Sequence, residues 1–218
     1  MQLVFEQIPV GGDRNFAYLL GDRDARQAVL IDPSYAPGRL VERARAQGLR
    51  VTHIINTHGH PDHTNGNDEA SRLTGAPVAA FEASTMIAPQ VGLSDGSELK
   101  VGSLRLQCRH VPGHCEDHLT IFEPAWNLLF TGDLIFVGKV GGTRSDEDAL
   151  TEWASLQAVL AGTPDEATVW PGHDYGARPS STIALERATN PFLRCADADS
   201  FLALKQNWPS VKINLGLK

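Results

Sequence analysis

The segment Thr57-His58-Gly59-His60-Pro61-Asp62-His63 packs three imidazoles and a carboxylate into one short stretch. Three more potential ligands follow small residues downstream: His114 after Pro112-Gly113, Asp133 after Thr131-Gly132, and His173 after Pro171-Gly172. Neutral imidazole suits zinc and iron, while a carboxylate adds charge and can bridge two ions. These candidates exceed what one tetrahedral ion requires. Divided between two ions, they give His58, His60 and His114 to one and Asp62, His63 and His173 to the other, with Asp133 bridging. Two ions about 3.5–4 Å apart would share a water and lower its pKa toward roughly 7, giving a hydroxide at neutral pH. One ion would polarise a substrate carbonyl, and the second would stabilise the departing anion. Asp62 and Asp133 are therefore expected to serve catalysis as well as ligation. Two divalent ions are the expected cofactor, zinc first, with iron and manganese also accepted by such ligands.

Packing alone does not explain this cluster, although it accounts for other histidines. His53 lies within an apolar run and His110 near the end of one, so both are assigned to packing or surface. His118 is expected to support the site rather than bind metal. A purely structural metal module is disfavoured, because structural zinc sites are closed and dominated by Cys.

The elements that must position these residues are legible from periodicity and turn chemistry. Strands are expected at 3–8, 16–20, 28–31 and 51–56, and the last leads directly into the histidine cluster. Pro37 opens a helix that Gly48 closes, and a second helix is expected over 68–73. Further strands are expected at 78–80, 98–101, 104–111, 118–122, 128–130 and 168–170, with a short helix at 83–87. The glycine-rich stretch 137–142 precedes a helix over 146–160, and the tail offers helices at 183–188 and 198–206. Each ligand thus falls at the end of an apolar strand, where loops converge and small residues let the backbone turn sharply. Two strand-rich halves with helices attached predict an α/β fold of sheets packed face to face with helices outside. One domain over 1–218 is expected, with a short helical tail at about 176–218.

At 218 residues the chain can bury a substantial core. Its net charge of -7 and lack of a concentrated basic patch argue against a nucleic-acid partner. No apolar run approaches the roughly 18 to 20 residues that span a bilayer, so no membrane partner is expected. Cys108, Cys115 and Cys195 are odd in number and lack metal-type pairing, which suggests a reducing compartment. With no basic start before the first apolar run, a cytoplasmic location is expected. Oligomeric state is left open.

In order along the chain, Ile31-Asp32-Pro33, Thr57 to His63, Val111-Pro112-Gly113-His114, Phe130-Thr131-Gly132-Asp133 and Pro171-Gly172-His173 resemble the motifs of the metallo-β-lactamase superfamily. The resemblance implies a four-layer αββα sandwich and the same division of ligands between two ions. Gly172-His173-Asp174-Tyr175 and Asn190-Pro191-Phe192 are similar to segments of the glyoxalase II (hydroxyacylglutathione hydrolase) group within it. This likeness implies thioester hydrolysis of a small-molecule substrate such as a glutathione conjugate, with Tyr175 against the glutathione moiety. Where that group carries a basic residue and an aromatic, this chain reads Gly141-Gly142-Thr143-Arg144, and Lys139 and Arg144 stand as the basic candidates. Around His114 the group's Gly-His-Thr-Pro-Gly is replaced by Gly113-His114-Cys115-Glu116-Asp117, with Cys115 expected to be an inert thiol. Persulfide dioxygenases share most of these signatures. They imply an alternative in which one iron sits at His58, His114 and Asp133 and oxygen is consumed.

Overall fold

The computed structural model describes residues 2–214. The first half contributes β1 (Leu3–Gly11), β2 (Asn15–Asp22), β3 (Gln27–Ile31), β4 (Arg50–Ile55), β5 (Val78–Phe81) and β6 (Val91–Leu93), hydrogen-bonded in that order as one sheet. The helices α1 (Pro37–Ala46), α2 (Pro61–Thr64) and α3 (Asn67–Thr74) lie between these strands in sequence. The second half contributes β7 (Glu98–Val101), β8 (Leu104–His110), β9 (Leu119–Glu123), β10 (Leu128–Gly132), β11 (Ile135–Phe136), β12 (Lys139–Val140), β13 (Thr168–Pro171) and β14 (Ser181–Thr182). Of these, β14-β13-β10-β9-β8-β7 form the second sheet, and β11 and β12 form a two-stranded sheet. The helices α4 (Asp146–Gly162), α5 (Ile183–Thr189) and α6 (Ala198–Asn214) complete the chain.

Side chains alternate across a strand, so a strand buried on both faces must feed two cores. In β2, Ala17 and Leu19 join Ala28 and Leu30 of β3 and pack against Leu40, Val41 and Ala44 of α1. The intervening Tyr18 and Leu20, with Val29 and Ile31, instead meet Leu104, Leu106, Ile121 and Phe130 of the second sheet. That sheet's outer face, through Leu129 and Val169, packs on Leu156 and Val159 of α4, Ile183 of α5 and Phe201 of α6. Three apolar layers separated by two sheets give the four-layer αββα sandwich, as expected. Among the described residues no helix is long and apolar enough to cross a membrane.

Strand direction delivers the ligands to one edge. β3 and β4 are parallel neighbours, as are β10 and β13. β8 pairs antiparallel with β9, which pairs antiparallel with β10, so β8 runs the same way as β10. The carboxyl ends of these strands lead to Asp32, His58, His114, Asp133 and His173.

Two expectations need correction, and one segment carries more regular structure than was expected. Residues 83–87 form turns rather than a helix, because the Ser84 hydroxyl accepts the Met86 and Ile87 N–H groups, offering the backbone a local alternative. The glycine-rich stretch supplies β12, which pairs with β11 just before it in a short hairpin turned at Gly138 with a φ of 80°. The last helix continues beyond 206 to Asn214, through Pro209.

Candidate metal centre

Immediately after β4 the chain turns at Thr57, and this turn is held from β3. Asp32 accepts the Thr57 N–H at 2.8 Å, the Thr57 hydroxyl at 2.7 Å and His63 Nδ1–H at 2.9 Å. Since Thr57 Oγ1 donates to Asp32, it is free to accept from His58 Nδ1 at 3.1 Å. One buried carboxylate thereby orients two imidazoles and fixes which nitrogen of each faces inward. Asp32 has a φ of 47°, a conformation that Asp tolerates better than most residues. His114 and His173 are fixed in the same manner. Each Nδ1–H donates to a backbone carbonyl, that of Gly142 at 2.7 Å and that of Asp13 at 2.8 Å.

The inward nitrogens converge. His58 Nε2 lies 2.9 Å from His60 Nδ1, which lies 3.1 Å from His114 Nε2. On the other side, His63 Nε2 is 3.2 Å from His173 Nε2, and Asp62 Oδ2 is 3.4 Å from His173 Nε2. Ligand atoms of His58, His60 and His114 form one compact group, and those of Asp62, His63 and His173 another. Asp133 spans them, with Oδ1 at 3.4 Å from His63 Nε2 and Oδ2 at 3.5 Å from His114 Nε2 and 3.4 Å from His173 Nε2.

This donor set fits divalent ions. A tetrahedral ion with bonds of about 2.0–2.1 Å to nitrogen separates its ligand atoms by roughly 3.3 Å, close to the spacings here. In addition, Asp133 Oδ1 is buried and accepts no hydrogen bond among the described residues, a costly arrangement unless a cation faces it. Electrostatics agree. Burial, reinforced by His63, pushes His58 well below the usual imidazole range, leaving a neutral ring with a lone pair directed inward. Burial and the neighbouring His114 lower His60 likewise. For His63, burial is outweighed by Asp133 and Asp32, which raise it. Burial also works against charge on Asp133, yet His63 and His173 hold its carboxyl well below the ordinary range.

Gly132 carries a φ of 48° where β10 bends into Asp133, and a Cβ there would lie 2.7 Å from Thr57 Oγ1 and 2.8 Å from His118 Nε2. His118 lies against the candidate ligands: its ring stacks 4.9 Å from that of His58, and its Nε2 accepts the Asp133 N–H at 3.0 Å. His110 stacks on Phe81 instead. Cys115 donates to Asp117 Oδ1, and burial together with that carboxylate pushes the thiol up to about 11, so it stays protonated.

The predicted substrate contacts divide. Tyr175 stacks on His173 with ring centroids 4.6 Å apart, and its hydroxyl donates to Asp13. Lys139 Nζ lies 3.7 Å above the Tyr175 ring and the Arg14 guanidinium 4.9 Å from it. Together with Lys212 they line an opening that reaches His114 and Asp133. Arg144 is absent from that opening, although it lines a neighbouring cavity with Lys139 and Lys212. It also lines a separate cavity with Met86, Cys115 and His114.

Sequence reasoning passed over the roles of Asp32, Asn15 and Asp13. Asp32-Pro33 at a strand end was a signal for the first. Asn15, which donates to Asp62 Oδ2 at 3.0 Å, offered none. Replacing Asp32 with Asn should weaken metal binding about 10–100-fold, the usual effect of losing an orienting partner. Chelator competition on the purified protein measures this, and unchanged affinity would deny Asp32 that role.

The profile of the Metallo-beta-lactamase superfamily matches residues 10–173. A hydroxyacylglutathione hydrolase of Polaromonas sp. is 35% identical over 181 residues, covering 79% of this chain and 67% of that protein. The mitochondrial persulfide dioxygenase ETHE1 of Homo sapiens is 32% identical over 181 residues, covering 82% of this chain and 71% of that protein. The crystal structure of ETHE1 from Myxococcus xanthus superposes with a TM-score of 0.87 at 32% identity, covering 94% and 91% of the two chains.

Proposed function

This chain belongs to the metallo-beta-lactamase superfamily, and from that premise we propose that it is a binuclear metal-dependent hydrolase of a thioester such as a hydroxyacylglutathione. The observation that carries this reading is the second complete ligand group, Asp62, His63 and His173, bound to the first through Asp133. Two ions held by these groups would supply a water of lowered pKa and a Lewis acid for the scissile carbonyl. In the reaction, water oxygen bonds to the thioester carbon and the C–S bond breaks, leaving a carboxylic acid and a thiol.

The protein's part is orientation. Asp32, Thr57 and the carbonyls of Asp13 and Gly142 hold the imidazoles in place, so little reorganisation accompanies reaction. At the opening, Lys139 is crowded by Lys212 and Arg14, and burial first, then these cations, lower its affinity for a proton. An anionic thiol such as glutathione would relieve that crowding, with Tyr175 beneath the Lys139 ammonium that receives it. Free Cys108, Cys115 and Cys195 support a reducing, cytoplasmic setting.

A one-iron persulfide dioxygenase is the second reading, favoured by the similarity to the human persulfide dioxygenase ETHE1 and to ETHE1 of Myxococcus xanthus. Both readings are tested on one preparation by measuring metal content, S-acylglutathione hydrolysis and persulfide-dependent oxygen uptake. The expected result is about two ions per chain with thioester cleavage. One iron per chain with oxygen uptake would replace the hydrolase by the dioxygenase.

A further inference from the structure

The metal centre has two approaches, and His114 lines both. One is the opening of about 380 Å³ beneath Lys139 and Tyr175. The other, about 730 Å³, lies between residues 81–86 and 113–117 and is unclaimed by anything argued above. Its lining is mixed: Phe81, Ala83, Met86 and Cys115 give an apolar stretch beside His114, while Glu116, Asp117, Arg144 and Asp148 supply the polar remainder. Met86 lies across the turn between His58 and His60, where a Cβ at Gly59 would come within 2.4 Å of the Met86 Cβ. Met86 Sδ rests 3.7 Å from Cys115 Sγ, immediately after His114, and Phe81 continues the wall. Met86 is nevertheless 46% exposed, among the larger apolar exposures in the described residues. The loop that carries it is pinned, because Ser84 donates to the buried Asp117 at 2.5 Å, and Asp117 also accepts the Gly59 N–H at 3.2 Å. A rigid loop thus holds an unbranched, adaptable apolar side chain at the edge of the metal site, facing open space.

A thioester has two halves on either side of its carbonyl. With the carbonyl at the metals, a thiol half bearing carboxylates belongs beneath Lys139, Arg14 and Lys212. The acyl half must then leave by the other approach. We propose that the cavity walled by Met86, Phe81 and Cys115 is an acyl subsite for an unbranched aliphatic chain longer than a short hydroxyacyl group, with Met86 setting its length preference. This inference rests on the thioesterase reading. Each methylene transferred from water to that wall is expected to raise kcat/KM about fourfold until the cavity is filled.

The test uses the metal-loaded protein and S-acetyl-, S-butyryl-, S-hexanoyl- and S-octanoylglutathione, which vary only the acyl half. The expected result is a kcat/KM that climbs from acetyl to hexanoyl. Met86→Trp, which fills the cavity, and Met86→Asp, which makes its wall polar, should each reduce the hexanoyl-to-acetyl ratio at least about tenfold. Two variants of opposite chemistry at an exposed position guard against a misfolded protein, and a thermal melt checks each. A flat series in the parent, or a ratio that neither variant changes, overturns the acyl subsite while leaving the hydrolase in place. Failure to cleave any of the four overturns both.

Discussion

Asp133→Ala is expected to reduce kcat/KM about a thousandfold or more and to lower bound metal below two ions per chain. His60, His114 and His173 each fall in one ligand group, whereas the Asp133 carboxylate approaches His63 through one oxygen and His114 and His173 through the other. Its loss therefore removes negative charge from both groups and leaves His58, His60 and His114 facing one another with no carboxylate among them. His60→Ala, by contrast, strips a donor from one group only, so one ion should be retained. The backbone at 133 is held independently, through the N–H donated to His118 and the turn at Gly132, so the variant is expected to fold. Metal analysis beside steady-state kinetics reads both effects. Full activity in metal-analysed Asp133→Ala would eliminate the bridging role and, with it, the main argument for two cooperating ions.

The ligands were legible in the sequence because each sits where an apolar run meets Gly or Pro, a pattern set by local chemistry. Their supports were not legible, because those depend on how strands pair. Asp32 reaches Thr57 and His63 only once β3 lies parallel beside β4, and Asn15 reaches Asp62 from 47 residues away. The stacked sheets could be inferred from two strand-rich halves with helices attached, and the four layers from the resemblance carried by five motifs in order. Strands of two or three residues, β6, β11, β12 and β14, are too short for a period of two to register. At 83–87 the apolar spacing of a helix was real, but Ser84 turned the backbone toward Asp117 instead. Arg144 was grouped with Lys139 by proximity in sequence. Gly141 and Gly142 carry the chain past His114 between them, so of the two cations only Lys139 lines the opening at Asp133 and Tyr175, although both line a neighbouring cavity.

Lys205→Met should destabilise the fold by about 3–5 kcal/mol near pH 8, the usual cost of removing one member of a buried ion pair. Lys205 of α6 pairs with Glu152 of α4, whose side chain is fully buried, and donates to the Gly141 carbonyl at 2.7 Å. Burial pushes the Glu152 carboxyl up to about 7 against the opposing pull of Lys205. The folded protein thus keeps a proton that the unfolded chain has released. Unfolding free energy accordingly falls as pH rises from about 4.5 to about 7. Without Lys205 the carboxyl binds its proton more tightly still, so the loss in the variant is smallest near pH 4.5 and grows with pH. Urea unfolding at pH 5 and pH 8 measures this difference, and an equal loss at both would deny the pair its electrostatic part. Glu152→Leu combined with Lys205→Met should recover most of the stability, since a buried pair replaced by apolar groups leaves no stranded charge. Stability and site geometry then separate. Gly113, whose added Cβ would meet the Glu152 Cβ at 2.4 Å, and Gly142, whose carbonyl accepts His114 Nδ1–H, both adjoin this pair. A double variant that folds well but binds metal less tightly would identify the α4–α6 contact as a support for His114 as well as for the fold.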